Sequence, residues 1–194
     1  MLAIGDTHDF SAVNSFARHT AWLHAPLRFY AQYGIVLFGL LLVVGFLLAR
    51  RSGDAVRVAR SLIAAAGVLV AVALNQPIVH AVDEPRPFTR LPHALVLVHR
   101  SIDASFPSDH ATMAGAVAVG LLFVHRRLGA LAVVAALLMA FARVYVGAHY
   151  PVDVLAGLAF GGAVAALLQL AAPLVGRLVE RLRTTPLRPI LTAS

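Results

Sequence analysis

The chain has 194 residues, which is enough for one compact unit and short for two. Hydrophobic residues make up 60% and charged residues 13%, a balance that excludes an ordinary soluble protein and indicates an integral membrane protein. The net charge of +7 arises from Arg without any Lys, and these Arg residues lie mostly in short loops between apolar runs. This favours membrane topology over nucleic-acid binding. Because there is no Cys, disulfides, thiolate catalysis and Cys-based metal sites are excluded.

Residues 1–30 have apolar positions at about helical spacing among charged ones. Trp22 and Tyr30 suit the boundary between lipid headgroups and hydrocarbon. We therefore predict a short interfacial helix here, with a frayed tail as the alternative. The first long apolar run begins near Ala31, after charged and His residues, so we expect it to stay in the membrane rather than to be cleaved.

Five apolar runs follow. The first is long enough to cross ~30 Å of hydrocarbon at ~1.5 Å per residue. The runs predict an all-α polytopic membrane helix bundle with about five transmembrane helices, at residues 31–49, 58–80, 109–124, 129–147 and 151–174. We expect a membrane-embedded domain over 31–175 and a basic cytoplasmic tail over 176–194. Gly157 and Gly161 form a G-x-x-x-G pair, which favours close packing of the fifth helix.

The loop charges predict the orientation. One side collects most of the Arg residues against only two acids, and the positive-inside rule assigns that side to the cytoplasm. The C-terminus is then cytoplasmic, the N-terminus is outside, and residues 83–110 share the extracytoplasmic side with residues 143–153. The Arg residues of the cytoplasmic side are Arg50, Arg51, Arg57, Arg60, Arg126, Arg127, Arg177, Arg181, Arg183 and Arg188.

Polar residues lie at the ends of the predicted spans on the outer side. Ser108 is placed to cap the third span, and a helix N-terminus with a hydroxyl and an imidazole beside it is a ready anion site. Pro151 suits the first turn of the fifth span, which puts Asp153 one helical step after His149, close enough to hold an imidazole N–H. The polar residues are Arg86 between two prolines, Ser108, Asp109, His110, Arg143, His149 and Asp153.

Two Arg, two His and a capped helix end suit a phosphate better than a carboxylate. Arg86 and Arg143 can each place a planar fork on phosphate oxygens. Since the chain has neither Cys nor a cluster of carboxylates, we expect no metal and no other cofactor. A His nucleophile that forms a transient phosphohistidine fits better.

These residues together resemble the signature of the type 2 phosphatidic acid phosphatase superfamily, which is related to the vanadium haloperoxidases. The family pattern is Lys-x6-Arg-Pro, then Pro-Ser-Gly-His, then Ser-Arg-x5-His-x3-Asp. The matching residues are Arg86 and Pro87, then Pro107, Ser108 and His110, then Arg143, His149 and Asp153. With their surrounding spans they cover roughly residues 75–170, and they look most like the undecaprenyl-diphosphatase branch.

The resemblance implies a role for each matching residue. His149 would be the nucleophile, Asp153 its orienting partner and His110 the acid for the leaving group. Phosphate would bind to Arg86, Arg143 and Ser108, with backbone N–H groups near Asp109 helping.

Three positions depart from the family pattern. Val79 stands at the Lys position, Asp109 at the Gly and Ala142 at the Ser. His80 or Arg90 could supply the missing charge. We therefore include His80 in the pocket together with Pro87, although His80 is equally well explained as a polar spacer.

The sequence thus predicts an enzyme of the cell membrane that removes phosphate from a membrane lipid at the extracytoplasmic face. The favoured reaction is undecaprenyl diphosphate to undecaprenyl phosphate, which serves cell-wall synthesis. Phosphatidic acid and phosphatidylglycerol phosphate are alternative substrates. Two further alternatives are transfer of the phosphoryl group to another acceptor, and a non-catalytic lipid-phosphate binder or transporter, which the absent Lys motivates. The oligomeric state is left open.

Overall fold

The structure, a computed structural model, describes residues 3–186 and residue 191. These residues form helices and connecting turns without any strand, so the all-α prediction is confirmed. The helices are α1 (Ala3–His19), α2 (His24–Tyr33), α3 (Ile35–Arg51), α4 (Ala55–Val82), α5 (Pro87–Arg90), α6 (Asp109–Val124), α7 (Arg126–Tyr145), α8 (Pro151–Leu168) and α9 (Ala172–Leu182).

Within the part of the chain that the structure describes, three helical stretches are long and apolar enough to cross a membrane: Ala55–Arg90, Arg126–Tyr145 and Pro151–Leu182. The stretches before and after Gly34 make a fourth if they are counted as one span bent by 56°. α6 is apolar but has only 16 residues. The protein is thus a multi-pass membrane helix bundle, and the count of five spans stays a prediction.

Helix boundaries differ from the predicted ones mainly at the two ends of the chain. The N-terminal segment forms two helices, α1 and α2, with one short 3-10 turn between them. The fifth predicted span ends at Leu168, where a second 3-10 turn leads into α9, and α9 packs along α4. Consequently α2 runs across the domain boundary expected at residue 30, and α9 runs across the one expected at residue 175.

Glycines permit the closest helix contacts. α6 packs along α4, α7 and α8. A Cβ at Gly157 of α8 would lie 2.7 Å from the Ser108 carbonyl oxygen, and one at Gly120 of α6 would lie 2.9 Å from the Ala64 Cβ. The close packing expected at Gly157 and Gly161 is therefore confirmed, since both meet the backbone of the α6 region. This packing brings the first turns of α6 and α8 together.

Candidate active site

The first turn of α6 and the end of α4 line a cavity of about 550 Å³, together with Arg143 near the end of α7 and His149 just before α8. An irregular segment, residues 98–108, forms another part of its wall. The lining residues are Gln76, Val79, His80, Asp83, Arg86, Ser101, Ile102, Asp103, Ala104, Pro107, Asp109, His110, Met113, Arg143 and His149. Five of the predicted site residues and His80 therefore line one cavity, although they lie far apart in the sequence.

The residues just before this irregular segment are fixed by hydrogen bonds, some of them from the N-terminal helix α1. The Asn14 side chain donates to the Leu95 carbonyl at 2.8 Å and accepts from the Leu95 N–H at 3.0 Å. The Leu97 N–H donates to the Val146 carbonyl at 3.0 Å. At the start of α8, the Val152 N–H donates to Asp6 Oδ1 at 3.0 Å. These contacts fix the connection after α5 against both α1 and the junction between α7 and α8.

Arg86 is held by acceptors around its whole guanidinium. Two prolines flank it, its backbone is extended, and Pro87 opens α5 as a buried residue outside the cavity lining. The Arg86 side chain is only 8% exposed. Its Nη1 donates to the Ala148 carbonyl at 2.9 Å and lies 3.2 Å from His149 Nε2. Its Nε donates to the Asp103 carbonyl at 3.1 Å, and its Nη2 pairs with Asp103 Oδ2 at 2.8 Å.

Arg143 reaches the same imidazole nitrogen from the end of α7. Its Nη2 lies 3.1 Å from His149 Nε2, and its Nη1 donates to the Ala31 carbonyl at 3.2 Å. Since a guanidinium only donates, both Arg contacts require a lone pair on Nε2. The proton of a neutral imidazole then lies on Nδ1, where the Ser105 carbonyl accepts it at 2.9 Å. The structure thus presents the Nε2 lone pair of His149 to the two Arg residues.

Burial is the largest effect on the pKa of His149, and it lowers this pKa well below the ordinary value. The guanidiniums of Arg143 and Arg86 lower it further because a second positive charge beside them is unfavourable. The buried imidazole is therefore neutral around pH 7, which is the state that a nucleophile requires.

Asp153 lies behind His149, outside the cavity lining, and its contact with the imidazole is looser than expected. Its Oδ2 is 3.5 Å from His149 Nδ1, beyond an ordinary hydrogen bond. Ser105 Oγ donates to this same oxygen, and the Tyr150 N–H donates to it at 2.8 Å. Ser105, which the sequence analysis did not single out, therefore contacts both His149 and the carboxylate expected to orient it.

The start of α6 is fixed by polar groups from α4. Asn75 Nδ2 donates to the Pro107 carbonyl at 3.2 Å and to Asp109 Oδ1 at 2.7 Å. Gln76 Nε2 donates to the same Asp109 oxygen at 3.0 Å. Ser108 occupies the N-cap position, as predicted, but its buried hydroxyl makes no capping hydrogen bond and lies outside the cavity lining. Asp109 at the family's Gly position is thus supported by two amides.

The two candidates for the missing Lys charge lie in different places. Val79, at the Lys position, is buried and lines the cavity. His80 lines the cavity too, on an exposed part of α4. Arg90 instead pairs with Glu84 at 3.1 Å and is outside the cavity lining. His80 is therefore the better placed of the two.

The sequence assigns no role to Asp103 or Ser105, and for Asn75 and Gln76 it indicates only that the second span enters a polar cavity at that end, where Gln76 does line the cavity. The two amides interrupt a long apolar run, which is a usable signal. Asp103 and Ser105 lie in an irregular segment without any periodicity. Among the residues that the structure describes, no three His, Cys, Asp or Glu side chains are placed to hold a metal ion.

Known proteins are similar to this chain over most of its length. The family model described as the PAP2 superfamily matches residues 60–175. The undecaprenyl-diphosphatase BcrC of Bacillus subtilis is 35% identical over 152 residues, which cover 77% of this chain and 75% of that protein. The bacitracin transport permease protein BcrC of Bacillus licheniformis is 30% identical over 152 residues, or 78% and 73% of the two chains.

A solved structure supports the fold. The transmembrane PAP2-type phosphatidylglycerolphosphate phosphatase from Bacillus subtilis aligns with a TM-score of 0.61 at 24% identity. The alignment covers 82% of this chain and 83% of that one.

Proposed function

Because the chain belongs to the PAP2 superfamily and is a membrane phosphatase, we propose that it hydrolyses undecaprenyl diphosphate to undecaprenyl phosphate. The B. subtilis protein named undecaprenyl-diphosphatase, 35% identical over three quarters of its length, supports this substrate. The observation that carries the chemistry is the convergence of Arg86 and Arg143 on Nε2 of the buried, neutral His149.

In the proposed first step, the Nε2 lone pair of His149 attacks the terminal phosphorus. The N–P bond forms as the bond from phosphorus to the bridging oxygen breaks, and undecaprenyl phosphate leaves with the electron pair. His110, which lines the cavity, donates the proton that the leaving oxygen needs. The forks of Arg86 and Arg143 then contact phosphoryl oxygens in place of the imidazole nitrogen, where they stabilise the developing charge.

In the second step, water attacks the phosphohistidine. His110, now deprotonated, accepts the water proton, the N–P bond breaks and inorganic phosphate is released, which restores both His residues. His149 keeps its orientation throughout through the Ser105 carbonyl, with Ser105 Oγ and Asp153 as the groups behind it. The N–H groups in the first turn of α6, next to Ser108 and Asp109, add donors for the phosphate.

We further propose that the cavity opens to the extracytoplasmic side at headgroup depth, where a lipid phosphate arrives from the bilayer, and that residues 176–194 are cytoplasmic. The Arg-rich segments at residues 50–60 and 125–127 lie at the opposite ends of α4, α6 and α7 from the cavity, as the positive-inside rule requires. Single-Cys labelling tests this: Cys at Ile102, which is fully exposed, should react with an impermeant maleimide in intact cells. Labelling of Cys at Arg127 but not at Ile102 would reverse the orientation.

One alternative has its own supporting observation. The B. licheniformis relative is named a transport permease, and Val79 replaces the family Lys, so a binder or transporter without turnover is the second candidate. Phosphate release distinguishes the two functions directly.

The test is phosphate release by detergent-purified protein, wild type and His149→Ala, with undecaprenyl diphosphate, phosphatidic acid and phosphatidylglycerol phosphate compared in the presence of chelator. We expect rapid release from the diphosphate by the wild type alone. Faster release from either monophosphate would replace the proposed substrate. No release from any of the three would favour the binder, and release by His149→Ala would refute the nucleophile.

A further inference from the structure

A protein carboxylate occupies the cavity-facing side of Arg86. Asp103 Oδ2 lies 2.8 Å from Arg86 Nη2, and both residues line the cavity. The two side chains have very different environments, because Arg86 is 8% exposed and Asp103 is 64% exposed. The pair thus joins a fixed guanidinium to a carboxylate that is mostly in contact with solvent.

Arg86 does not depend on this carboxylate for its position. Its Nη1 donates to the Ala148 carbonyl, and its Nε donates to the main-chain carbonyl of Asp103, which any residue at 103 would provide. These two bonds already fix the plane of the guanidinium. The Asp103 carboxylate contributes the remaining contact, which is on Nη2. Together with Nη1, this nitrogen can bind two oxygens of one phosphate in a bidentate manner.

Asp103 carries the same sign of charge as the phosphate group proposed to bind at Arg86. Partial burial raises the pKa of Asp103, but the hydrogen bonds from Ser101 and Arg86 outweigh it and hold this pKa below the ordinary value. The carboxylate is therefore ionised around neutral pH. Its two oxygens resemble two oxygens of a phosphate group in charge and spacing.

We propose that Asp103 is a resident anion of the phosphate site, which the phosphate group must displace from Arg86 and which returns to Arg86 when inorganic phosphate leaves. This rests on the proposed binding of phosphate by Arg86. Displacement costs little because the exposed carboxylate is readily hydrated. The exchange keeps a buried guanidinium paired in both states and limits product inhibition, since bound phosphate competes with an intramolecular anion.

The test compares Asp103→Asn with Asp83→Asn. Asp83 lines the same cavity, and its left-handed backbone at φ 45° suits Asn, so its variant removes the same charge without freeing Arg86. Binding of inorganic orthovanadate and of inorganic phosphate is measured by calorimetry on the detergent-purified protein. Exposed ion pairs are weak, so we expect Asp103→Asn to bind both ions about 2- to 5-fold more tightly, and Asp83→Asn to bind them nearly as the wild type does.

Unchanged or weaker binding in Asp103→Asn would overturn the proposal, because a carboxylate that positions Arg86 would produce that result. Equal tightening in both variants would overturn it as well, since the effect would then reflect the charge of the whole cavity. Neither ion is the lipid substrate, so these results stand apart from the choice between undecaprenyl diphosphate and other lipids. Absence of binding to every variant, wild type included, would overturn the assignment of the phosphate site itself.

Discussion

Replacing Ser105 by Ala tests the hydrogen bonds behind His149, the proposed nucleophile. Ser105 is fully buried, and its hydroxyl donates to Asp153 Oδ2 and lies 3.4 Å from His149 Nδ1. Asp153 Oδ1 already lacks a partner. The substitution would leave the buried carboxylate with only the Tyr150 N–H at 2.8 Å.

The structure limits the size of the effect. A hydrogen bond to a charged group is worth about 1.5–3 kcal/mol, which corresponds to roughly 10- to 150-fold in rate if all of it is lost in the transition state. The Ser105 carbonyl, however, still accepts the Nδ1 proton of His149 at 2.9 Å. We therefore expect the lower end, a fall in kcat of about tenfold, with KM nearly unchanged because Ser105 is outside the cavity lining.

The assay is phosphate release at saturating and limiting lipid concentrations in mixed micelles, with Ser61→Ala as the matched control. Ser61 is also buried and donates a hydroxyl bond, to the Val58 carbonyl at 2.7 Å, near the opposite end of α4. A kcat within twofold of the wild type for Ser105→Ala would refute the reasoning. So would a rise in KM without a fall in kcat, since Ser105 would then act on binding.

Three further predictions follow from named contacts. Arg143→Lys should lower kcat by roughly 100-fold, because an ammonium lacks the planar fork whose two nitrogens contact the Ala31 carbonyl and His149 Nε2; activity near normal would contradict this. The lowered pKa of His149 means that it gains a proton only well below pH 6.5, so the rate of phosphohistidine formation should not fall as the pH drops to 6.5; a loss centred there would show an ordinary imidazole. Gly157→Ala should lower stability by about 1–3 kcal/mol, read from the unfolding midpoint in detergent, because its Cβ meets the Ser108 carbonyl oxygen. Gly39→Ala, with open space around Cβ, is the neutral control.

Spacing along the chain predicted where the proposed reacting groups lie, because each of them is at a helix end that local rules define. Pro151 opens α8 as expected, and it places Asp153 in the first turn, next to His149. Ser108 precedes α6 for the same kind of reason. These positions depend on only a few neighbouring residues, so they can be predicted from one sequence alone.

The contacts that tune the site could not be predicted in this way. Ser105 reaches His149 from 44 residues away, and its segment is fixed by a backbone bond from the Ser105 N–H to the Glu84 carbonyl. Glu84 looks like a solvated loop charge in the sequence, yet its side chain is 18% exposed and pairs with Arg90. Such pairs depend on how irregular segments cross each other, for which the sequence has no periodic signal.

The helices that precede the family-matched segment have a consequence for the smallest active polypeptide. A chain trimmed to residues 60–175 would keep all of the proposed reacting groups, which lie in the signature. It would lose the Ala31 carbonyl that accepts from Arg143 and the Asn14 side chain that pairs with Leu95. The catalytic unit therefore extends further towards the N-terminus than the segment by which its family is recognised, and deletions from that end should impair turnover before they reach residue 60.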